Sequence, residues 1–494
     1  MQPVARLVLH HDVERLAELA VPRDDIVGER AVTDRAFEAE HGPFRRYRRV
    51  LTADGPQVTE EIEFELAIPV WGRLFAPLVK RALRERRTDP PWWSPPERWD
   101  AHTAEVVGLL AVVTVIAGYL GTLITQTITF AADEFGSSDR DQGITLAAVR
   151  VGVLLALVVV AAADRRGRRG MLVGSSVAAC LLAATGAAAP DLAWLGGSQT
   201  LARAMSTAMA ILIGVIAAEV VPRNSRAYTA SILAMTAALG SGMAVWALPL
   251  ADLGEPAWRL LYVIPLVGVP ITLAVARRLP ESRRFEASRE RPPVRPNPRR
   301  VWLLAASGFL VALFVAPASQ FQNEFLRDER GFSAARISLF TLSTNTPGGI
   351  GVLLGGRFAD THGRRRIGAI AMAGGAAATV AMYLATGWPL WGFSVLGAVV
   401  GAAAIPALGV YGPELFPTAS RGRTNGLISL VGVVGSSAGL LAVGILADEL
   451  GRFGPAMALM AAGPALVALL ILVAYPETAH KELEELNPED APLR

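Results

Sequence analysis

Three short motifs return at an almost constant offset, and this repetition constrains the fold more than any other feature of the chain. Asp164-Arg-Arg-Gly-Arg-Arg169 comes back as Asp360-Thr-His-Gly-Arg-Arg365, 196 residues later. Glu219-x2-Pro222-x3-Arg226 comes back as Glu414-x2-Pro417-x3-Arg421 after 195, and Pro280-Glu281-Ser282 as Pro476-Glu477-Thr478 after 196. Three different motifs do not share one register by accident, so most of the polypeptide is a duplicated unit.

Between the motifs the chain is apolar in long runs. A helix needs about 20 mostly apolar residues to cross the hydrocarbon core of a bilayer. Candidate spans read as 103–131, 141–163, 171–189, 192–221, 226–252, 257–279, 301–326, 334–359, 366–387, 389–414, 422–447 and 452–475. These are twelve spans, six per half. Parallel repeats of this kind build carriers whose two bundles rock about a site near the bilayer midplane. Arginine and lysine are retained on the cytoplasmic side of a membrane. Loops after spans 2, 4, 6, 8 and 10 hold Arg165, Arg166, Arg168, Arg169, Arg223, Arg226, nine arginines from Arg277 to Arg300, Arg364 to Arg366, Arg421 and Arg423. The opposite loops hold few, mostly beside acids, so both termini are expected in the cytoplasm.

The formal net charge is only +3, and most of the basic residues are these loop arginines, which argues against nucleic acid as a partner. One cysteine, Cys180, excludes an internal disulfide, and no Cys/His group has metal-ligand spacing. Neither a phosphate-cradling Gly-x4-Gly-Lys nor a Gly-x-Ser-x-Gly elbow is present. No enzyme activity, cofactor or metal is expected.

Residues 1–100 differ in kind. No charged-then-apolar leader opens them, so they are expected to stay in the cytoplasm. Phe37 to Leu51 and Val58 to Ile68 read as two strands around the hairpin turn Asp54-Gly55. A basic helix from Trp71 to Arg87 follows, with Leu74, Phe75, Leu78, Val79 and Leu83 on one face and Arg73, Lys80, Arg81 and Arg84 elsewhere. That face suits closure of the domain's own sheet, or a helix lying on an anionic leaflet. Pro90, Pro91, Trp92, Trp93, Pro95, Pro96 and Trp99 then form a stiff linker into span 1.

The Asp-Arg-x-Gly-Arg-Arg motif after span 2, with its copy after span 8, resembles the signature of the major facilitator superfamily. Glu-x2-Pro-x3-Arg after spans 4 and 10, Pro280-Glu281-Ser282-Arg283, Pro476-Glu477-Thr478 and especially Tyr411-Gly-Pro-Glu414-Leu-Phe-Pro417-Thr resemble its sugar-porter and metabolite branch. The likeness covers residues 103–486. It implies an all-α membrane protein of twelve transmembrane helices in two six-helix halves, preceded by a small cytoplasmic α+β domain. The expected divisions are 1–100, the N-terminal half 101–279, an Arg/Pro-rich linker 280–300, the C-terminal half 301–475 and a tail 476–494. Departures are informative. Val160 stands where the first motif usually has glycine, whereas Gly356 keeps it in the second. Span 7 carries Ser319, Gln320, Gln322, Asn323 and Glu324 instead of the paired glutamines and later asparagine of hexose porters. The arginine that those porters place on span 4 is Gln199 here, with Arg203 one turn on.

Carboxylates at fixed positions in both halves, near loop arginines, suggest charge-assisted bonds that latch the bundles on the inner side. The candidate gating residues are Asp164, Arg165, Arg168, Arg169, Glu219, Arg226, Glu281, Asp360, Arg364, Arg365, Glu414 and Arg421, and the resemblance implies that their pairing favours the outward-facing state. For the solute, Arg203 and Arg150 lie roughly 21–24 Å above the cytoplasmic helix ends at about 1.5 Å per residue. Charges at that depth usually face a cavity or a partner. Gln126, Gln199, Gln320, Gln322 and Asn345 are candidate hydrogen-bonding neighbours, and Tyr119 and Trp391 candidate packing surfaces. Glu324 is a candidate acid partner for Arg203. The reading is a monomeric secondary transporter of the cytoplasmic membrane, moving a small polar organic solute, either an organic anion or a sugar-like metabolite. Protons are the coupling ion to test, although no carboxylate falls mid-span. An efflux carrier for amphiphilic compounds and a non-transporting sensor are the alternatives.

Overall fold

The computed structural model describes residues 4–87, 89–137, 139–282 and 295–490. Residues 283–294 of the expected linker lie outside the described residues. The chain divides into two compact units, residues 1–112 with 220–225, and residues 113–219 with 226–494.

The first unit is built on an antiparallel sheet of five strands: β1 (Ala5–Asp12), β2 (Gly28–Thr33), β3 (Ala36–His41), β4 (Phe44–Asp54) and β5 (Gln57–Leu66), in the order β1-β5-β4-β3-β2. The hairpin forms where Asp54-Gly55 predicts it. Asp54 pairs with Gln57, and Gly55 takes the positive φ that a two-residue turn needs. The single strand expected from Phe37 to Leu51 is in fact two, because Gly42 at φ +142° and Pro43 turn the chain between β3 and β4. β1 and β2 are the edge strands of the sheet; β2 escapes a pattern-based reading because its last four residues are exposed and show no alternation.

The helix Gly72–Glu85 closes one face of this sheet. Val79, Ala82 and Leu83, with the partly buried Phe75, pack among Phe44, Tyr47, Ile62, Phe64 and Leu66. Leu74 and Leu78 do not join them, contrary to the expected single apolar face, and stand exposed. Arg49 is fully buried, stacks 4.0 Å over Phe37 and pairs with Glu29 at 2.6 Å. The Tyr47 hydroxyl donates to the same carboxylate at 2.6 Å. Burial, then the charge of Glu29, hold that phenol well above its ordinary range.

This unit includes the beginning of span 1. Trp71 Nε1 donates to the Gly108 carbonyl at 3.2 Å, and Arg45 pairs with Glu105 at 2.9 Å. A Cβ on Gly108 would lie 2.9 Å from Pro69 Cδ, so only glycine admits this approach. The Glu97 carboxylate accepts the Asn224 N–H at 3.1 Å, and the Ser225 hydroxyl donates to the Glu97 carbonyl at 3.0 Å.

Among the described residues, eleven helices are long and apolar enough to cross a membrane, from Ala101–Glu134, which begins in the first unit, to Phe453–Val473. The eighth span is present as two pieces, Ala334–Asn345 and Gly348–His362, separated at Pro347, whose missing N–H interrupts the ladder. The bundle thus has twelve spans, six to a half. Helices cross where small residues let backbones meet: Gly118 lies on Ala237, Gly240 on Val115, and a Cβ on Gly435 would come within 2.5 Å of the Phe309 carbonyl oxygen. Tyr119 and Trp391 are spent on packing. Tyr119 donates to the Leu261 carbonyl at 2.8 Å, and Trp391 meets Phe340 edge-on at 4.8 Å between centroids.

Candidate functional site

The repeated motifs end their spans with charges that the next helix cannot leave in water, because the two halves close over them. Two buried clusters result. In the first, Glu219 at the end of span 4 pairs with Arg168 from the loop after span 2 and with Arg421 at the start of span 11. Ser282 Oγ donates to the same carboxylate at 2.5 Å. Asp164 lies 3.9 Å from Arg168 and accepts the backbone N–H groups of Gly422 and Arg423 at 3.2 and 2.9 Å, so it caps the first turn of span 11.

The second cluster exchanges the halves. Glu414 pairs with Arg364 and, at 3.3 Å, with Arg226 at the start of span 5. Asp360 binds Arg364 at 2.9 Å and accepts the N–H groups of Ala227 and Tyr228 at 3.2 and 2.8 Å. Thr478 Oγ1 accepts from Arg364 at 3.0 Å. In each cluster, then, the Asp and Glu of one half hold the arginine and the helix start of the other. Each core sets two arginines against two carboxylates, so the buried charge is balanced, the condition under which such a group survives desolvation.

Not every candidate gating residue bridges the halves. Arg165 is exposed. Arg169 donates to the Ala276 carbonyl at 2.6 Å, and Arg365 to the Ile471 carbonyl at 3.3 Å, so both cap the last turn of a span in their own half. Glu281 accepts the N–H groups of Arg168 and Arg169 at 3.0 and 3.1 Å, and Glu477 repeats this with Arg364 and Arg365 at 3.0 and 3.2 Å. These carboxylates cap helix starts within a half. Sequence reasoning missed the tail. Asp490 accepts from the Thr418 hydroxyl at 2.7 Å and lies 3.4 Å from Arg421, while Glu482 lies 3.6 Å from Arg226. An acid-rich end after the last span was the available signal.

A cavity of about 830 Å³ lies within the C-terminal half. Of the solute candidates, Gln322 and Asn345 line it. Gln199 is buried and donates to the Ala183 carbonyl at 3.2 Å, a contact inside the N-terminal half. Arg203 donates to the Gly121 carbonyl at 2.9 Å; Arg150 and Gln320 are exposed and Gln126 half-buried, and none of these four lines the cavity. The wall is mostly Ala, Gly, Val, Leu and Met, with Ser307, Ser319, Thr379, Ser394, Tyr411, Asn425, Ser429 and Tyr475 as its further polar side chains, and it contains no charged residue. The Tyr411 hydroxyl is buried and has no hydrogen-bond partner among the described residues. In the sequence Tyr411 stands out only as part of the Tyr411-Gly-Pro-Glu414 motif.

The profile of the Major Facilitator Superfamily matches residues 110–323 and 304–494. No curated protein sequence matches the chain. Among solved structures it is similar to the proton:xylose symporter XylE bound to 6-bromo-6-deoxy-D-glucose, at 16% identity and a TM-score of 0.68, over 78% of this chain and 99% of that one. It is also similar to the transporter FucP in the outward conformation, at 12% and 0.64 over 76% and 100%, and to the human organic anion transporter MFSD10 (TETRAN), at 14% and 0.62 over 75% and 99%. The duplicated bundle, its paired motif clusters and the extent of the profile match together mean that the chain belongs to the Major Facilitator Superfamily.

Proposed function

We propose that the chain is a secondary transporter that carries a small, uncharged, polar organic solute by alternating access, and that the conformation described is the one closed on the arginine-rich side. The reading is carried by the reciprocal exchange of the two ion clusters. Every bridging bond they make would have to break before the halves part on that side, and the same groups return when it closes. By the distribution of arginine, this side is the cytoplasmic one, with both termini on it in a cytoplasmic membrane.

The wall of the cavity supports a neutral solute over an anion. An anion in the 830 Å³ space would lose its hydration without meeting a cation, a cost of several kcal/mol. Hydroxyl groups would meet serine, asparagine and tyrosine side chains, including the unpartnered Tyr411, while apolar surface covers the remainder. The solute class is therefore sugar-like or otherwise neutral, in keeping with the 6-bromo-6-deoxy-D-glucose bound to XylE and not with the organic anions of MFSD10. Protons are the coupling ion to test, on the same likeness to XylE.

Counterflow in proteoliposomes tests this. Preloading with neutral polyols should accelerate uptake of a labelled neutral solute, and Tyr411→Phe should raise its KM by about 5–10-fold, the worth of one lost hydrogen bond of about 1 kcal/mol or slightly more. Exchange restricted to carboxylates would overturn the solute class, and a folded protein without exchange would favour the sensor.

A further inference from the structure

We propose that the N-terminal domain docks on the anionic lipid surface through the outer stripe of its helix Gly72–Glu85 and through Val70, two residues before it. Leu74 and Leu78 stand one helical turn apart and are 68% and 43% exposed, and Val70, in the turn that leads into the helix, is 71% exposed, although the opposite stripe is buried against the sheet. A solvated helix does not usually keep two apolar stripes. The occupant is indicated by charge and by position. Arg73, Arg81 and Arg84 flank the stripe and are exposed, and Glu85, which pairs with Arg81 at 2.9 Å, is the only acid on the helix. Such a face attracts anionic headgroups.

Position follows from span 1. Glu105 is its last charged residue before an unbroken uncharged run from Val106 to Ala132, so Gly108 stands at the edge of the hydrocarbon. Trp71 is bonded to the Gly108 carbonyl, which places the helix start and its indole at the membrane boundary, where tryptophan is favoured. Leu74 follows Trp71 by about 4.5 Å of helix, within a headgroup layer about 5–7 Å deep. Val70 and Leu74 therefore stay in that layer whatever the direction of the helix axis.

The test uses the full chain with Cys180→Ala, carrying a single environment-sensitive fluorophore at Leu74→Cys or at Gln57→Cys. Gln57 is exposed at the far end of β5, about 30 Å from Leu66 along the strand. The protein is reconstituted in phosphatidylcholine vesicles, with or without phosphatidylglycerol, containing a lipid with a nitroxide near its headgroup. The label at 74 should be blue-shifted and quenched several-fold more than that at 57, more so with phosphatidylglycerol, and Arg73→Glu with Arg84→Glu should abolish that increment. Equal quenching at 74 and 57, or quenching at 74 indifferent to phosphatidylglycerol, would overturn the proposal. Label–label self-quenching at 74 without nitroxide quenching would assign the stripe to a second copy of the chain and overturn it equally.

Discussion

The two ion clusters use the same exchanged parts but bring the halves together differently. At the second cluster, glycine sits on the motif span. A Cβ on Gly356 of span 8 would meet Ser231 Oγ and lie 2.6 Å from the Ala227 carbonyl oxygen, both of span 5, and there Arg364 binds Asp360 at 2.9 Å. At the first cluster the motif span carries Val160, and glycine has moved to the partner helix. A Cβ on Gly422 of span 11 would lie 2.8 Å from Val160 Cγ1, and one on Gly426 would lie 2.5 Å from Leu157 Cδ2. The Arg168–Asp164 distance there relaxes to 3.9 Å, while Asp490 adds a carboxylate to Arg421 that is only 10% exposed. Its counterpart at Arg226, Glu482, is 41% exposed. A duplicated interface can thus keep its charge exchange while the small residue that permits close approach crosses from one helix to the other.

The largest effect should come from the shared acids. Glu219→Gln or Glu414→Gln leaves two buried arginines around one lost charge, at a cost of about 3–5 kcal/mol in the closed state, a population shift of more than about a hundredfold. Spin labels at Arg165→Cys and Arg423→Cys, in Cys180→Ala, should report a longer distance between the halves in both variants. An unchanged distance distribution in a folded protein would reduce both clusters to topology signals. A response to only one substitution would mean that the clusters are not equivalent.

The tail supplies an intermediate effect and the sharpest asymmetry. Asp490→Asn weakens charge-assisted bonds to Arg421 and Thr418, worth about 1.5–3 kcal/mol. Glu482→Gln removes a longer, solvated pair worth about 0–1 kcal/mol. The same spin-label pair should respond to the first substitution and not measurably to the second. Equal responses would make the tail a symmetric strap.

Helix contact comes next. Gly356→Ala forces a methyl group against both the Ser231 hydroxyl and the Ala227 carbonyl and should destabilise by about 1–3 kcal/mol, with no relief from Ala227→Gly, because what residue 227 presents there is main chain. Gly422→Ala should be relieved in part by Val160→Ala, because one obstacle is the valine methyl group. Thermal unfolding of the four single and two double variants reads the coupling, and relief in the wrong pair would disprove the migration of the glycine. The smallest effect belongs to Arg165→Gln. It removes an exposed arginine and should change thermal unfolding by no more than the roughly 0–1 kcal/mol of a surface pair.

Much of the architecture could be read in the chain because it rests on local rules. Twelve apolar runs of spanning length, the Asp54-Gly55 turn and the helix after Trp71 follow from periodicity, turn chemistry and the length of a membrane span. The list of motif residues was also legible, since Asp164, Arg168, Glu219 and Arg226 recur with their copies at one offset. Their division of labour was not. Arg169 and Arg365 stand next to Arg168 and Arg364 in the same motifs, yet they cap the last turns of spans instead of joining the buried clusters, because one step along a helix turns a side chain by about 100°. Arg203, offered as a solute contact from its depth, is bonded to the Gly121 carbonyl, which a depth estimate cannot anticipate.

What the sequence determined alone is therefore the duplication, the number of spans, the bias of arginine toward one set of loops and the identity of the paired groups, all set by spacing along one chain. Folding in three dimensions decided which half holds whose arginine, where the glycine of each interface sits, that the tail reaches Arg421, and that the cavity is walled by one half without a charge. These depend on contacts between residues 69 or more positions apart, which no local period encodes, and on burial, which converts ordinary loop charges into groups that must be paired where the halves meet.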